Sequence, residues 1–345
     1  MKAGYNNILN AITKLGIIFM NITPLVSIVI PCYNSKVTLP KVIESIQRNK
    51  YKNYEVVIVD DGSDEPVDDV VASYKNNKIR LFRKKNEGLG LTRNFGIRQA
   101  LGKYVFFLDA DDEIFLNGLT RLVSFAESKQ LTVVSGITVR HLLENGRREQ
   151  WFPDIYKQDT VDELKQRNAL YSDTLSTNKL YKKDMLLQQN ILFEEGLYED
   201  KLFTAKLYSS IDKIGLIHEE VYLWKVAPIG QSITQSKTVT NFEGRMDAIL
   251  RLWQYLPELR KVYQIAFFAN HDLLIYLREF KFYTIEEQKR IFDLASEFVV
   301  ENKKYFYERL VPNSINFVCI NALLKQDFDF FSQCGLVLSL EYYNK

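Results

Sequence analysis

Several things are scarce in this 345-residue sequence, and each scarcity closes a class of explanation. Three cysteines, Cys32, Cys319 and Cys334, are odd in number and lack metal-ligand spacing. A disulfide framework or a cysteine-held metal is excluded, and reduced thiols in a cytoplasmic protein are expected. Charge of one sign is equally scarce. The net charge is +2, and Arg80, Arg83, Lys84 and Lys85 form only a small cluster, so no stripe for nucleic acid is present. No apolar run approaches the roughly 20 residues of a membrane span; the longest near the start, Leu15–Met20, is far shorter. A weak basic start without a small-residue cleavage site argues against a signal peptide. Residues 1–23 therefore read as an amphipathic leader, with Ile8, Ile12, Leu15 and Phe19 at helical spacing, that packs on the protein or touches a membrane surface. Two glycine-rich phosphate loops are also missing. Neither G-x-G-x-x-G after the first strand nor G-x-x-x-x-G-K-[ST] occurs, which removes the dinucleotide-binding and P-loop readings.

What the sequence does contain is an ordinary globular balance, 46% hydrophobic and 26% charged, and a strong alternation of buried-type strands with amphipathic helices. Leu25–Ile30, Tyr54–Val59, Ile79–Phe82 and Val105–Leu108 read as strands. Between them, Lys36–Asn49, Pro66 to about Tyr74 and Gly88–Ala100 read as helices, the last closed by Gly102 in a helix-terminating position. The order β-α-β-α-β-α-β implies a mostly parallel sheet flanked by helices, with ligands at the carboxyl ends of the strands. A helix over Leu116–Lys129, strands over Thr132–Val139 and Val221–Val226, and a polar loop over Ala227–Thr234 follow. From about Asn241 the pattern changes to amphipathic helices, including a capping box at Thr284 and Glu287. The expected organisation is a leader over 1–23, an α/β domain over 24–240 and a helical appendage over 241–345. With 13 basic and 14 acidic residues, that appendage has no electrostatic membrane anchor.

Carboxylates gather where the strands end. Lys103–Glu113, KYVFFLDADDE, finishes an apolar strand in three aspartates. Asp109 and Asp111 would project to one side of an extended chain, a donor set for a hard divalent cation, while Asp112 would cap the following helix or stand behind the site. The second strand runs into Asp60-Asp61-Gly62-Ser63, and Glu199-Asp200 falls in the first turn of a helix. There, dipole complementarity and a general base are both open readings.

Taken together and in order, SIVIPCYN, VVIVDDGSDE, GLGLTRNFGI, FFLDADD, NKLY and FEEGLYED, spanning about Pro24–Thr234, resemble the family 2 glycosyltransferases with a GT-A-type nucleotide-sugar-binding fold, particularly bacterial members that build surface polysaccharides. The resemblance implies a metal-dependent, inverting transfer of a sugar from a UDP-sugar to a hydroxyl of a lipid-linked or polymeric glycan. Pro31, Tyr33 and Asp61 would lie around the nucleoside, the Asp61 carboxylate accepting from uracil N3–H. Arg93 would contact the nucleotide or its diphosphate, Asp109 the ribose side, and Asp111 an Mn²⁺ or Mg²⁺ ion bridging the diphosphate. Asp200 would be the general base, ionised near its ordinary carboxylate value, and Lys225 and Ser232 would close over the donor phosphates. The family commonly shows arginine where this chain has Lys225, and the two are not interchangeable at bidentate sites. A glycan acceptor of this kind would bring a cytoplasmic enzyme to the inner face of the cell membrane. The helical appendage is open to acceptor binding, self-association or membrane contact. Two other classes compete. A nucleotidyltransferase would need a basic phosphate loop after its first strand, and a non-catalytic nucleotide-sugar or glycan-binding scaffold would have little reason to keep Asp61, Asp109, Asp111 and Asp200 together.

Overall fold

The computed structural model describes residues 24–164, 168–227, 237–306 and 315–343. The leader over 1–23 and Ser232 lie outside them. Four parallel strands open the chain in the expected order: β1 (Val26–Cys32), β2 (Tyr54–Asp60), β3 (Ile79–Arg83) and β4 (Tyr104–Phe107). They are linked by α1 (Leu39–Arg48), α2 (Asp68–Ser73) and α3 (Leu89–Gln99). Every residue of β1 and β2 is buried, as continuous aliphatic runs covered on both faces require.

Beyond β4 the sheet becomes mixed. The chain continues through β5 (Glu113–Ile114), α4 (Gly118–Lys129), β6 (Val133–Leu142), β7 (Arg148–Trp151), β8 (Thr160–Glu163), β9 (Lys179–Lys182), α5 (Lys183–Gln188), α6 (Glu199–Ser210) and β10 (Lys213–Val226). The strand order is β3-β2-β1-β4-β9-β6-β10-β5, with β9 antiparallel to both β4 and β6. Because β9 reverses twice, β4, β6 and β10 run in one direction, and their carboxyl ends lie at one end of the sheet. Register breaks between Leu216 and Tyr222 bend β10, whose Tyr222 and Leu223 pair with β5 just past the Asp109–Asp112 turn.

Two close approaches fix this layout. A Cβ on Gly96 would meet Val29 Cγ1 at 2.2 Å, so α3 lies directly on β1. Gly102 follows α3 but is required for space rather than for a left-handed cap: a Cβ there would sit 2.7 Å from Leu25 O and Ser27 Oγ. Pro31 is tolerated inside β1 because β4 has stopped pairing. The last link on that side is Leu108 N–H to Val29 O, while on the other side Asp61 N–H still reaches Cys32 O. A cleft opens between the two chains from that point.

One apolar cluster packs α1 and α4 on the first sheet face, and another packs α3, α5 and α6 on the second. A third cluster fills the helical region of α7 (Val239–Trp253), α8 (Glu258–Phe267), α9 (Leu273–Leu277), α10 (Ile285–Glu301), α11 (Lys303–Phe306), α12 (Ile315–Leu324) and α13 (Phe328–Tyr343), and a small fourth one joins Leu202 and Ala205 of α6 to Leu252 and Leu256. The Thr284–Glu287 capping box starts α10 as its sequence predicts. Among the described residues no helix is long and apolar enough to cross a membrane.

Candidate active site

At the carboxyl end of the sheet the two strand tips of β1 and β2 are locked together. Asn34 donates from its backbone N–H to Ser63 Oγ at 2.8 Å and from its side chain to Asp64 at 3.0 Å; Asp64 N–H returns a bond to Asn34 Oδ1 at 2.9 Å. Tyr33 beside this clamp is 51% exposed, free to meet a ligand ring, and Pro31 is buried below it. The Asp61 carboxylate is buried and heavily engaged. Its Oδ1 accepts from Lys84 Nζ at 2.5 Å and from Glu87 N–H at 3.0 Å, and its Oδ2 from Gly88 N–H at 2.9 Å. One lone pair of Oδ2 is left for a ligand. Lys84 was legible only as part of a basic cluster. Its position one residue beyond β3, where Arg83 stands in register with Asp60, was the signal that could have placed it here.

Asp109 and Asp111 do not continue the strand. Asp112 N–H donates to Asp109 O at 3.2 Å, a turn that separates the two carboxylates instead of stacking them on one side. Asp109 faces inward to Arg93, whose Nη2 donates to its Oδ1 at 2.7 Å. Asp111 stands at the rim. Its side chain reaches solvent, yet the surrounding protein and the Asp109 charge push its carboxyl up to about 6. Asp112 caps no helix, since α4 begins only at Gly118. It is buried and accepts from Tyr222 Oη at 2.6 Å and Lys225 N–H at 2.8 Å, pinning the turn to β10. Burial and the charges of Asp111 and Asp109 raise its carboxyl well above the usual range. Tyr222 was missed in the sequence because a strand tyrosine with a core role carries no motif. Lys225 keeps its side chain on Glu113, Nζ to Oε1 2.7 Å, close enough to Asp111 to favour that carboxylate.

Arg93 is the centre of the arrangement. It is 1% exposed, and its Nη1 donates to Glu199 at 2.8 Å and to Asp200 at 2.7 Å while its Nη2 holds Asp109. The guanidinium thus bridges three carboxylates, Asp109 just beyond β4 and Glu199 and Asp200 on α6. Burial alone would lower its affinity for the proton, and the three acids more than offset this. Such a buried cluster is self-consistent only while complete; losing one partner strands the others at a cost of ~3–5 kcal/mol.

Asp200 stands where sequence placed it, in the first turn of α6, 25% exposed at its side chain. Its Oδ1 accepts from Arg93 and from Ser176 Oγ at 2.9 Å, whereas Oδ2 receives only a long 3.5 Å contact from Ser176 N–H. Oδ2 is thus the oxygen with a lone pair to spare. Burial raises the Asp200 carboxyl above its ordinary value, against the pull of Arg93; Glu199 is raised too, by burial and by Asp200. Behind Ser176 lies a buried polar network that the sequence reading did not foresee. Lys179 donates to Asp173 at 2.8 Å and to Leu175 O at 2.6 Å, Tyr208 donates to Asp173 O at 2.8 Å, and Tyr181 donates to Ser176 O at 2.8 Å. It rigidifies the segment that aims Asp200.

Among the described residues no group of three His, Cys, Asp or Glu side chains is arranged to hold a metal ion. The donor set nevertheless suits a hard cation. Asp111 offers an oxygen donor at an open rim, repelled by Asp109 and without a cationic hydrogen-bond partner, and Mg²⁺ or Mn²⁺ commonly takes one or two protein carboxylates with substrate phosphates and water.

Comparison with known proteins points to one family and one fold. The model of glycosyl transferase family 2 matches residues 27–188. The chain is 26% identical over 263 residues to the uncharacterized glycosyltransferase EpsJ of Bacillus subtilis, covering 72% of this chain and 71% of that protein. It is 28% identical over 217 residues to the poly(ribitol-phosphate) beta-N-acetylglucosaminyltransferase TarS of Staphylococcus aureus, covering 61% of this chain but only 37% of TarS. The crystal structure of TarS 1–349 in complex with UDP-GlcNAc superposes with a TM-score of 0.68 at 22% identity, over 92% of this chain and 91% of that one. A mannosyltransferase, PcManGT from Pyrobaculum calidifontis, in complex with GDP-Man and Mn²⁺, gives 0.54 at 13% identity over 93% and 88%. At these identities the structural matches establish the fold, which is GT-A.

Proposed function

Because this chain belongs to glycosyl transferase family 2 and is a glycosyltransferase, we propose that it moves a sugar, with inversion, from a UDP-sugar to a hydroxyl of a bacterial surface glycan. The observation that carries this reading is the sharing of one buried guanidinium by Asp109 and Asp200. It ties a nucleotide-side carboxylate to a base-side carboxylate across the cleft at the strand tips. Asp61, through Oδ2, accepts the imide N–H of uracil, which cytosine lacks, and Tyr33 covers the base. Asp109 faces the ribose, and Arg93 holds Asp109 and Asp200 in register rather than meeting the diphosphate itself.

Asp200 Oδ2 takes the proton from the acceptor hydroxyl as that oxygen attacks the anomeric carbon, and the bond to the diphosphate breaks on the opposite face. A carboxyl raised by burial is a stronger base than an ordinary one, and the Arg93 charge beside it favours its ionised form. Asp111 is the residue to hold Mn²⁺ or Mg²⁺, which when bound neutralises charge on the departing diphosphate. The UDP-sugar assignment is supported by the UDP-GlcNAc complex of TarS, and a polymeric or lipid-linked acceptor by the polyol-phosphate acceptor that TarS is named for. That acceptor would bring the protein to the inner face of the membrane.

The test is UDP release from a panel of UDP-sugars with and without EDTA. Release from at least one donor, abolished by EDTA and by Asp111→Ala, is the expected result. Equal UDP affinity with and without metal in calorimetry would remove the bridging ion from the proposal.

A further inference from the structure

The two residues flanking the Glu199–Asp200 pair are held from outside the α/β domain. Tyr198, immediately before α6, adopts φ +62°, a left-handed conformation that is strained for a bulky side chain. Its hydroxyl donates to Asn241 Oδ1 at 2.5 Å and accepts from Arg245 Nη2 at 2.9 Å, and the Arg245 guanidinium lies over its ring at 4.5 Å. Lys201, immediately after Asp200, pairs with Asp272 at 3.5 Å. Asp272 is fully buried and also accepts from Arg245, while Tyr276 donates to Asn241 at 2.6 Å. Asn241 and Arg245 belong to α7, Asp272 closes the π-helical turn Phe268–Asp272 and Tyr276 lies on α9. All of them come from the helical region.

We propose that this cluster is a positioning device for the general base, with Arg245 and Asp272 its positioning residues; the proposal rests on the transfer reading above. A non-glycine residue in the left-handed region is strained and persists only where its surroundings over-determine it. Here the surroundings are the Asn241–Arg245–Asp272 cluster. It fixes where the chain turns into the first turn of α6, and Asp200 Oδ2 moves with that turn. The helical region is therefore part of the reaction geometry and not a separable appendage, and it also packs Leu252 and Leu256 on Leu202 and Ala205 of α6.

The test compares wild type with Arg245→Met and with the milder Tyr198→Phe, which keeps the ring and removes only the hydroxyl. Hydrogen exchange of the backbone amides of residues 199–203 should quicken by roughly tenfold or more while those of β1, β2 and β4 stay protected. With a UDP-sugar donor, kcat should fall about 10- to 100-fold while donor KM changes by less than about twofold, because a misplaced base spoils the attack and not the donor site. Unchanged exchange at 199–203, or exchange raised equally in β1, β2 and β4, would overturn the positioning role. A wild type inert towards every UDP-sugar would sink the transfer reading instead, and the exchange measurement would still decide this one.

Discussion

The two sides of the cleft are built differently. On the side proposed to take the donor, Tyr33, Asp61, Asp109 and Asp111 sit at the tips of parallel strands whose register is set by aliphatic runs, with Asp61 held by Lys84 and Gly88 just beyond the neighbouring β3. On the base side, Asp200 rides on a helix whose first turn is braced by Ser176 below, Arg93 beside it and the helical region beyond. The donor side is what one expects of any sheet that binds a ligand at its carboxyl ends. The base side depends on contacts among segments far apart in the chain. Only Arg93 belongs to both.

The sharpest way to break this comparison is therefore Arg93→Met. It should abolish transfer and lower the unfolding free energy in urea by ~3–5 kcal/mol, since three partly buried carboxylates lose a buried counter-charge at once. A variant that lost donor binding but kept its stability would show the guanidinium to be a ligand contact instead. Next, Asp200→Asn separates the sides. Transfer should fall by ~10²–10⁴ while UDP affinity in calorimetry is unchanged; full activity would remove Asp200 as base.

The smallest effect reads the bracing of the base side through pH. Burial alone would raise the Asp272 carboxyl, but Lys201, His271 and Arg245 overcome it and hold the group down to about 2. With the unfolded value near 3.9, the unfolded chain binds the proton first as pH falls. Stability from this carboxylate is complete above about pH 4 and lost between about 4 and 2. The difference in urea stability between wild type and Asp272→Asn should thus be flat from about pH 8 to 5 and narrow below about 4. A difference that changes around neutrality would show that another group governs the cluster.

Legibility in the sequence followed the same divide. The strand and helix order up to β4 could be read within two or three residues, because fully buried parallel strands are continuous apolar runs and their connections carry helical spacing. Asp109, Asp111 and Asp61 were visible as acids at strand ends, and Glu199-Asp200 as acids in a first helical turn. The extended geometry expected for Asp109 and Asp111 was not found, because the turn closed by Asp112 N–H is stabilised from β10, over a hundred residues away. Ser176, Tyr222 and Arg245 carried no motif. Each acts through hydrogen bonds whose partners are fixed only when distant elements pack.

What the sequence determined by itself was the alternation of strands and helices and the placing of carboxylates at their ends, since periodicity and local turn chemistry are properties of neighbours in the chain. What the tertiary structure decided was which carboxylates share a cation, which oxygen of Asp200 is left free, and that the helical region braces the helix carrying it. The reason is physical. A buried charge is tolerated only with its partners in place, and the partners of Arg93, Asp112 and Asp272 are assembled by folding from segments tens to a hundred residues apart.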